Sequence, residues 1–450
     1  MRNSSRLNIP ARFALVSLAL VSARPSLAAE NELAELRAHI RALEQKLLVL
    51  ERRQELKDEA AAAAPPPVVV AGASGFSIAP ADRKFQLSIR ANLQADARFF
   101  LNDATNGNDT FLIRRLRPSF EGVIGERFGF RLMPDLAPST FNLLDAYVTY
   151  THAPELNLLV GKTKSPFDLE RLVSQTDLLF IERGYPTSLG PNRDIGVQVF
   201  GDLAGGLVSY QLAWLNGARD NDTTITDTDD GKEIVARIFA HPFKNDPSSL
   251  LQGLGIGVAV STGDKTTGAP NSYRTNAQQT FFSWRSTVVS NGKHERIEPQ
   301  AYYYSGSLGL VGSWVASKQG LSNGPGTVTR DITTTAWYGA VHYVLTGEEA
   351  SYRGVTPAAP FSWKDGTWGA FEAAVRYGEF NIDDDAFPVF ANPATSASKA
   401  SGTTLGINWY LNRNVKATIN FEHTSFEGGL GNVVINENEK AIFTRVQLRY

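Results

Sequence analysis

One segment of the chain, residues 85–100, alternates apolar and polar side chains from end to end. Because a β-strand turns successive side chains to opposite faces, the segment predicts a ribbon with one apolar and one polar face. It is much longer than the ~5–6 residues of an ordinary strand. A tilted strand that crosses a lipid bilayer needs ~9–11 residues, and the remainder can extend beyond the membrane. The pattern therefore favours a strand of a transmembrane β-barrel.

The same alternation recurs in shorter segments along the rest of the chain, separated by gaps of two kinds. Some gaps are turns of a few residues, and the others are long and polar. The long gaps span residues 165–192, 216–231, 263–293, 320–331 and 383–401. Short turns at one end and long loops at the other are typical of outer-membrane barrels. We predict an all-β fold, a transmembrane antiparallel β-barrel of about 16 strands over residues 84–450.

Two gaps fit this scheme less well. Residues 347–365 form a long gap on the short-turn side, and residues 278–289 are assigned to a loop although they contain several aromatic residues. The alternative fold is a soluble all-β protein, whose apolar faces would meet in a core. The long strands and the aromatic content, 25 Phe, 14 Tyr and 7 Trp, favour lipid-facing bands with aromatic girdles.

The first 28 residues have the composition of an export signal. Arg2, Arg6 and Arg12 precede an apolar run over residues 13–23, and Ser26-Leu27-Ala28 matches a cleavage site. We predict a signal peptide over residues 1–28. The chain contains no cysteine, which excludes a lipoprotein anchor, disulfides and thiolate metal sites.

A short helix with an apolar seam is predicted next, over residues 29–62. Its apolar residues follow at spacings of three and four, the a/d pattern of a coiled coil, and are Leu33, Leu36, Ile40, Leu43, Leu47 and Leu50. Leu or Ile at both seam positions favours a trimer over a dimer. The helix is either a periplasmic oligomerisation segment or a lone amphipathic helix that lies on the barrel. A Pro/Gly-rich linker is predicted over residues 63–83.

Catalytic and cofactor-binding patterns are not found in the sequence. The six histidines are scattered and lack ligand spacing, and neither a nucleophile elbow nor a phosphate-binding glycine loop is present. The formal charge of −2 gives no indication of nucleic-acid binding. We therefore expect neither an enzyme nor a bound cofactor or metal.

The polar faces of the predicted strands carry an excess of arginine near the start of the barrel. The inward cations are Arg90, Arg98, Arg115, Arg117, Arg127, Arg131, Arg237 and Arg296. The inward carboxylates are Asp96, Glu121, Asp135, Asp145 and Glu298. Guanidinium is a permanent charge whose fork matches phosphate and carboxylate oxygens. The lining is either anion-preferring or a mixed-sign wall that stiffens the barrel.

The gap at about residues 164–192 differs from the other loops because it is rich in apolar residues and in both charges. A loop exposed to water has no reason to be so apolar. We expect it to fold into the lumen and to place Lys164, Arg171 or Arg183 at a constriction. The alternative is a loop that caps the barrel or docks on a neighbouring subunit.

Several motifs resemble the phosphate-selective porin O and P family across nearly the whole predicted barrel. They are Gly161-Lys162-Thr163-Lys164-Ser165-Pro166-Phe167, Phe180-Ile181-Glu182-Arg183, Arg193-Asp194-Ile195-Gly196-Val197-Gln198, Arg114-Arg115-Leu116-Arg117 and Trp368-Gly369-Ala370-Phe371-Glu372 with Arg376-Tyr377. The resemblance implies a trimeric outer-membrane porin of sixteen strands with its third loop folded inward. Lys164, Arg183 and Arg193 match family motif positions, whereas many relatives have Gly-Gln where this chain has Gly161-Lys162.

These observations predict a passive channel for small anions, such as phosphate or similar oxyanions, in the outer membrane of a Gram-negative-type cell. The candidate pore residues are Lys162, Lys164, Arg171, Arg183, Arg193, Arg115, Arg117 and Arg131. The expected partners are small anions, outer-membrane lipid and two further copies of the chain, with the N-terminal helix in the periplasm. Alternatives are a general, non-selective diffusion porin and a structural periplasmic tether anchored by the barrel.

Overall fold

The computed structural model describes residues 27–63, 67–72, 75–101, 107–138, 141–223, 227, 229–324, 328–428 and 438–450. The predicted signal peptide therefore lies outside the described residues, apart from positions 27 and 28, which are helical. The chain divides into two compact units, residues 1–66 and 67–450.

The N-terminal unit is the helix α1 (Leu27–Ala63), close to the predicted 29–62. The apolar seam residues are all exposed, with Leu36 60 % and Leu43 62 % accessible. Arg52 lies 3.0 Å from Glu55 on the polar side of the helix. None of the helices in the described part of the chain combines the length and apolarity needed to cross a membrane.

The second unit is built from antiparallel strands. In chain order they are β1 (Val68–Gly72), β2 (Gly75–Ala79), β3 (Phe85–Phe100), β4 (Thr110–Ile124), β5 (Phe128–Asp135), β6 (Asn142–Ala153), β7 (Leu156–Lys164), β8 (Arg193–Leu203), β9 (Val208–Leu215), β10 (Glu233–Ala240), β11 (Leu254–Lys265), β12 (Tyr273–Arg274), β13 (Thr280–Phe282), β14 (Val288–Ser305), β15 (Leu308–Asn323), β16 (Thr329–Val344), β17 (Ala370–Asn381), β18 (Lys399–Tyr410), β19 (Val415–Glu427) and β20 (Glu439–Arg449). Within the described residues, sixteen of them, β3–β11 and β14–β20, pair with their sequence neighbours to form the barrel wall.

The barrel closes between its first and last strands. β20 pairs with the second half of β3, from Asn92 opposite Arg449 to Phe100 opposite Ala441. This confirms the prediction of a closed antiparallel β-barrel of about 16 strands with one preceding helix. Strand β3 also has the predicted bounds, residues 85–100.

The predicted linker over residues 63–83 contains regular structure, which corrects that expectation. β1 and β2 form a hairpin, and β2 pairs with β3 from Phe76 opposite Ile89 to Ile78 opposite Leu87. This part of β3 lies beyond the last residue paired with β20, so the hairpin covers an otherwise unpaired edge. Three consecutive valines favour the extended conformation, and Gly75, the first residue of β2, has φ 104°, a conformation that favours glycine.

Burial in the barrel is inverted relative to a soluble protein. In β20 the buried positions include Arg445 and Gln447, whereas Val446 and Leu448 are 59 % and 45 % exposed. Apolar side chains that point outward and polar side chains that point inward are the arrangement of a barrel that faces lipid and encloses a polar interior.

The connections differ between the two ends of the barrel. Most connections at the end that holds Tyr450 are short, spanning residues 125–127, 154–155, 204–207, 306–307 and 411–414, but 241–253 and 345–369 are long. The opposite end has the long segments 165–192, 216–232, 266–287 and 382–398. Residues 278–289 contain β13, which pairs with β12 in a small hairpin of the loop 266–287 and not with the barrel wall.

Candidate pore constriction

The segment between β7 and β8, residues 165–192, is called the inner loop below. Inward-facing side chains of distant strands bind its backbone. The Asn408 amide donates to the Leu179 carbonyl (2.9 Å), the Lys416 ammonium to that of Leu178 (2.8 Å), and Arg445 to that of Ile181 (2.8 Å). On the other side, Glu298 of β14 accepts from the Asp168 backbone N–H (2.7 Å). Because these strands lie on different sides of the barrel, the inner loop crosses the barrel interior.

Burial of its apolar side chains inside the barrel explains why the inner loop is so apolar. Phe167 and Leu169 are fully buried, and Phe180 and Ile181 are nearly so. A single helical turn, α2 (Leu169–Leu172), is capped by Asp168, whose carboxylate accepts from the Glu170 backbone N–H. The loop thus brings its own core into the barrel and occupies space that water would otherwise fill.

Glu182 is the main ionic anchor of the inner loop. Its carboxylate lies 2.7 Å from Arg98 of β3 and 2.8 Å from Arg114 of β4, and Arg445 follows at 3.9 Å. Burial would raise the pKa of Glu182, but the guanidinium groups of Arg114, Arg115 and Arg98 outweigh burial and hold this pKa well below its usual range.

Arg114 reaches the lumen because of a β-bulge. Gln94 of β3 pairs with Arg115, but the next residue, Ala95, pairs with Ile113, so Arg114 is an extra residue in β4. A bulge of this kind re-aims one side chain, and here two consecutive arginines contact groups inside the barrel. Arg115 donates to Gln94 Oε1 at 2.6 Å.

Three of the predicted pore residues are tied to neighbouring backbone. Lys162 donates to the carbonyl of Thr223, and Lys164 donates to that of Val173 at 3.0 Å. Arg183 donates to the carbonyl of Glu170 at 2.9 Å. Among the described residues, no carboxylate oxygen lies within 4.0 Å of these three cations or of Arg115.

Arg171 has a different environment from the one expected. Its guanidinium donates to the Thr187 carbonyl and to Asn221, each at 2.8 Å, and the residue is only 5 % exposed. Burial, together with Arg183, lowers the pKa of Arg171 to about 9, even though Asp168 opposes the shift. Arg171 therefore holds the fold of the inner loop and does not face open lumen.

The remaining predicted residues, Arg117, Arg131 and Arg193, are paired with carboxylates of the wall. Arg117 lies 2.7 Å from Asp135, and Arg193 lies 2.7 Å from Asp145. Arg131 contacts two carboxylates more loosely, at 3.3 and 3.5 Å. Its side chain keeps 32 % exposure, against 11 % for Arg117 and 5 % for Arg193.

A cavity of about 490 Å³ lies between this wall and the turn 174–177 of the inner loop. Five arginines contribute to its lining, Arg90, Arg117, Arg131, Arg413 and Arg449. We call it the arginine cavity. Among the described residues that line it, Asp177 has the one acidic side chain, and it lies 2.5 Å from Arg449. Arg90, Arg117 and Arg131 are paired with Glu121, Asp135 and Asp145 of the wall behind them. Counted with these partners and Asp177, the five arginines outnumber the carboxylates by one, so the excess charge at the cavity is small and positive.

Several residues that shape this site were missed by the sequence analysis. Arg114 breaks the alternation of apolar and polar residues, so the sequence pattern did not predict that it faces the lumen. It was named only as part of a motif. The sequence analysis names Glu182 only as part of a motif and does not single out Gln175, which accepts a hydrogen bond from Arg117 at 2.5 Å. Within the described residues, no group of three or more His, Asp or Glu is arranged to hold a metal ion.

A closed sixteen-stranded barrel with an apolar exterior, a polar interior and a loop folded across the lumen is the architecture of an outer-membrane porin. Comparison with known proteins agrees. Residues 87–449 match the family described as phosphate-selective porin O and P. The chain belongs to this family.

Two curated relatives show the extent of the similarity. Porin O of Pseudomonas aeruginosa is 26 % identical over 377 residues, which cover 76 % of this chain and 83 % of that protein. An uncharacterized protein of Caulobacter vibrioides is 25 % identical over 318 residues, covering 67 % of this chain and 62 % of that protein.

Solved structures show the same fold at low sequence identity. The outer-membrane channel DcaP of Acinetobacter baumannii has a TM-score of 0.54 and 12 % identity, covering 84 % of this chain and all of that one. OmpT of Vibrio cholerae, in a trimer form, has a TM-score of 0.51 and 8 % identity, covering 81 % and 99 %. The chain is thus an outer-membrane porin, and its family and fold point to a channel rather than to an enzyme.

Proposed function

We propose that this porin conducts small anions in preference to cations and that phosphate-like oxyanions are among them. The observation that carries the proposal is the arginine cavity, which five guanidinium groups line together with one acidic side chain, Asp177. Four of the five arginines are paired with carboxylates, and among the described residues no carboxylate oxygen lies within 4.0 Å of the fifth, Arg413. Guanidinium groups remain charged at all physiological pH values and bind oxyanions through two parallel hydrogen bonds. A dianion such as hydrogen phosphate gains twice the Coulomb attraction of chloride at the same distance.

The wall beside the inner loop supports the same conclusion. Its carboxylates Glu121, Asp135 and Asp145 each lie within 3.5 Å of an arginine, so their charge is largely compensated. Lys164 and Arg183 donate hydrogen bonds to carbonyl oxygens of the inner loop, and among the described residues no carboxylate oxygen lies within 4.0 Å of either cation. The description of the family, phosphate-selective porin O and P, is consistent with anion transport at the level of the family.

Reversal potentials in a potassium chloride gradient across a planar bilayer test the proposal. The purified porin should give the potential of an anion-preferring channel. Replacing one lining charge, as in Arg131→Gln or Arg413→Gln, should lower the chloride-to-potassium permeability ratio about threefold. Two unit charges about 6 Å apart interact by ~0.7 kcal/mol in water, which salt screening reduces to ~0.3 kcal/mol. The change acts with opposite sign on chloride and on potassium, so the two effects together give about threefold.

Arg330→Gln is the matched control. Arg330 lies in β16 at the long-loop end, where it pairs with Asp385 at 3.1 Å, far from the arginine cavity. The control should keep the wild-type ratio. Equal permeability of chloride and potassium in the unaltered porin would instead identify a general diffusion channel.

We also propose that three copies assemble and that α1 helps to join them in the periplasm. The seam of α1 leaves six Leu and Ile side chains exposed in a single copy, and a helix of three heptads needs a partner to be stable. OmpT of Vibrio cholerae, a structural neighbour, is described in a trimer form. Chemical crosslinking in detergent should give a trimer band.

A further inference from the structure

A second cavity lies on the other side of the same inner-loop turn. It has a volume of about 720 Å³, and Ser174 and Asp177 line both it and the arginine cavity. Its walls come from β10, β14 and the segment 345–369. The volume lies in the range of ~300–1,000 Å³ that is usual for small-molecule sites. We call it the tyrosine cavity because of the aromatic cluster on one wall.

Tyr302 lies at the centre of that cluster. The ring of Tyr352 stacks on it with centroids 5.1 Å apart and planes 26° apart, and the rings of Tyr304 and Phe239 follow at 5.2 and 5.1 Å. His241 is hydrogen-bonded to the Tyr302 hydroxyl at 2.6 Å. The stacked pair Tyr302–Tyr352 and the hydrogen bond to His241 fix the wall, so little ordering is needed when a flat ligand packs against it.

Cations frame the aromatic wall. Arg237, Lys244 and Arg353 line the tyrosine cavity, and among the described residues no carboxylate oxygen lies within 4.0 Å of any of them. Arg237 is held by Gln300 at 3.1 Å and by the face of the Phe239 ring at 4.6 Å. The cavity therefore combines a flat aromatic surface with three cations that have no close carboxylate partner among the described residues. Asp177, which also lines it, is paired with Arg449 at 2.5 Å.

One polar atom of the cavity has no partner. Nδ1 of His241 is buried and makes no hydrogen bond. A buried polar atom without a partner is costly, so His241 holds one unused hydrogen-bonding position at the edge of the aromatic wall.

We propose that the tyrosine cavity is a binding subsite for small aromatic carboxylates on their way through the porin. The ring packs on Tyr302, and the carboxylate is paired by Arg237 or Arg353. Inorganic phosphate has no apolar surface for the tyrosines, and a neutral sugar would leave the cations unpaired. The subsite rests on the proposed anion preference and adds a second class of anionic substrate to it.

The test compares two carboxylates as blockers of chloride current through the full-length porin in planar bilayers. Benzoate and cyclohexanecarboxylate have the same charge and similar size, but only benzoate has an aromatic ring. Benzoate should block at about fivefold lower concentration, the ratio expected from one aromatic contact of ordinary strength. Tyr302→Leu should bring the ratio close to one.

Two arginine variants separate charge from ring recognition. Arg353 is exposed, and no side-chain hydrogen bond from it is seen in the described residues, so Arg353→Gln should fold normally and weaken block by both carboxylates. Arg413→Gln, in the arginine cavity, should leave the benzoate preference unchanged. The proposed subsite is overturned if benzoate and cyclohexanecarboxylate block the unaltered porin equally. It is also overturned if the Tyr302→Leu variant conducts normally and keeps the fivefold ratio of blocking concentrations.

Failure of this subsite and failure of the anion proposal give different results. A porin that prefers chloride over potassium but is blocked equally by both carboxylates keeps the anion proposal and loses the subsite. A porin that passes chloride and potassium equally loses the anion proposal, whatever the carboxylates do.

Discussion

Replacement of Glu182 by glutamine should loosen the inner loop and make the channel more selective for anions. The carboxylate contacts Arg98 and Arg114 at 2.7 and 2.8 Å and is 4 % exposed. Removing one partner of a fully buried ion pair costs ~3–5 kcal/mol. Arg114 retains 29 % exposure, and glutamine keeps one hydrogen-bond acceptor, so we expect a loss of about 2 kcal/mol.

The loss should be local, because the loop has other anchors. Asn408, Lys416 and Arg445 still bind its backbone, so the barrel forms but the loop fluctuates more. In single-channel recordings we expect greater open-channel noise. The chloride-to-potassium permeability ratio should rise two- to threefold, since Arg98 and Arg114 lose the carboxylate that partly cancels their charge.

Glu155→Gln serves as the control for the Glu182 variant. Glu155 is exposed in the short turn 154–155, outside the barrel interior, and its replacement should leave noise and selectivity unchanged. If Glu182→Gln conducts with the noise and the permeability ratio of the unaltered porin, Glu182 does not hold the loop and the ionic anchor described above is not functional.

Three further predictions concern assembly. Deleting residues 30–59 should leave single-channel conductance unchanged while weakening the crosslinked trimer; loss of conductance would mean that the helix is part of the channel. Gly161→Ala should lower the free energy of unfolding by about 2 kcal/mol, because Gly161 has φ 130° and a Cβ would meet the backbone of β6. Gly339→Ala is the control, since a Cβ there has open space around it. Equal folding yields of the two variants would contradict the argument. Val375→Lys places a charge on the outer face and should destabilise the membrane-inserted barrel by ~2–4 kcal/mol. Asp365→Lys, in the turn segment, should not destabilise it. Heat-modifiable migration on gels measures the folded fraction of both variants.

The wall of the barrel could be predicted well because its signal is local. The alternation over residues 85–100 is set by the contrast between lipid and lumen at every second residue, and β3 has those bounds. The hairpin β1–β2 was missed because its pairing depends on an edge of β3 that β20 leaves open. Nothing in the local composition of residues 63–83 marks that edge.

The interior of the barrel was harder to predict because its contacts join distant parts of the chain. The pairing of Arg98 with Glu182 and of Arg445 with Asp96 depends on closure of the barrel. Arg171 was a reasonable candidate by charge, yet its bonds to Thr187 and Asn221 bury it. The positions of Lys164 and Arg183 at a constriction remain a prediction.

The central claim is that arginines of the lumen select and bind anions. The most direct test is to titrate phosphate into single-channel recordings of chloride current through the purified porin. We predict that phosphate reduces the chloride conductance in a saturable manner and that Arg131→Gln shifts the half-blocking concentration upward. Chloride conductance that stays constant as phosphate is added, together with equal chloride and potassium permeability, would contradict the account.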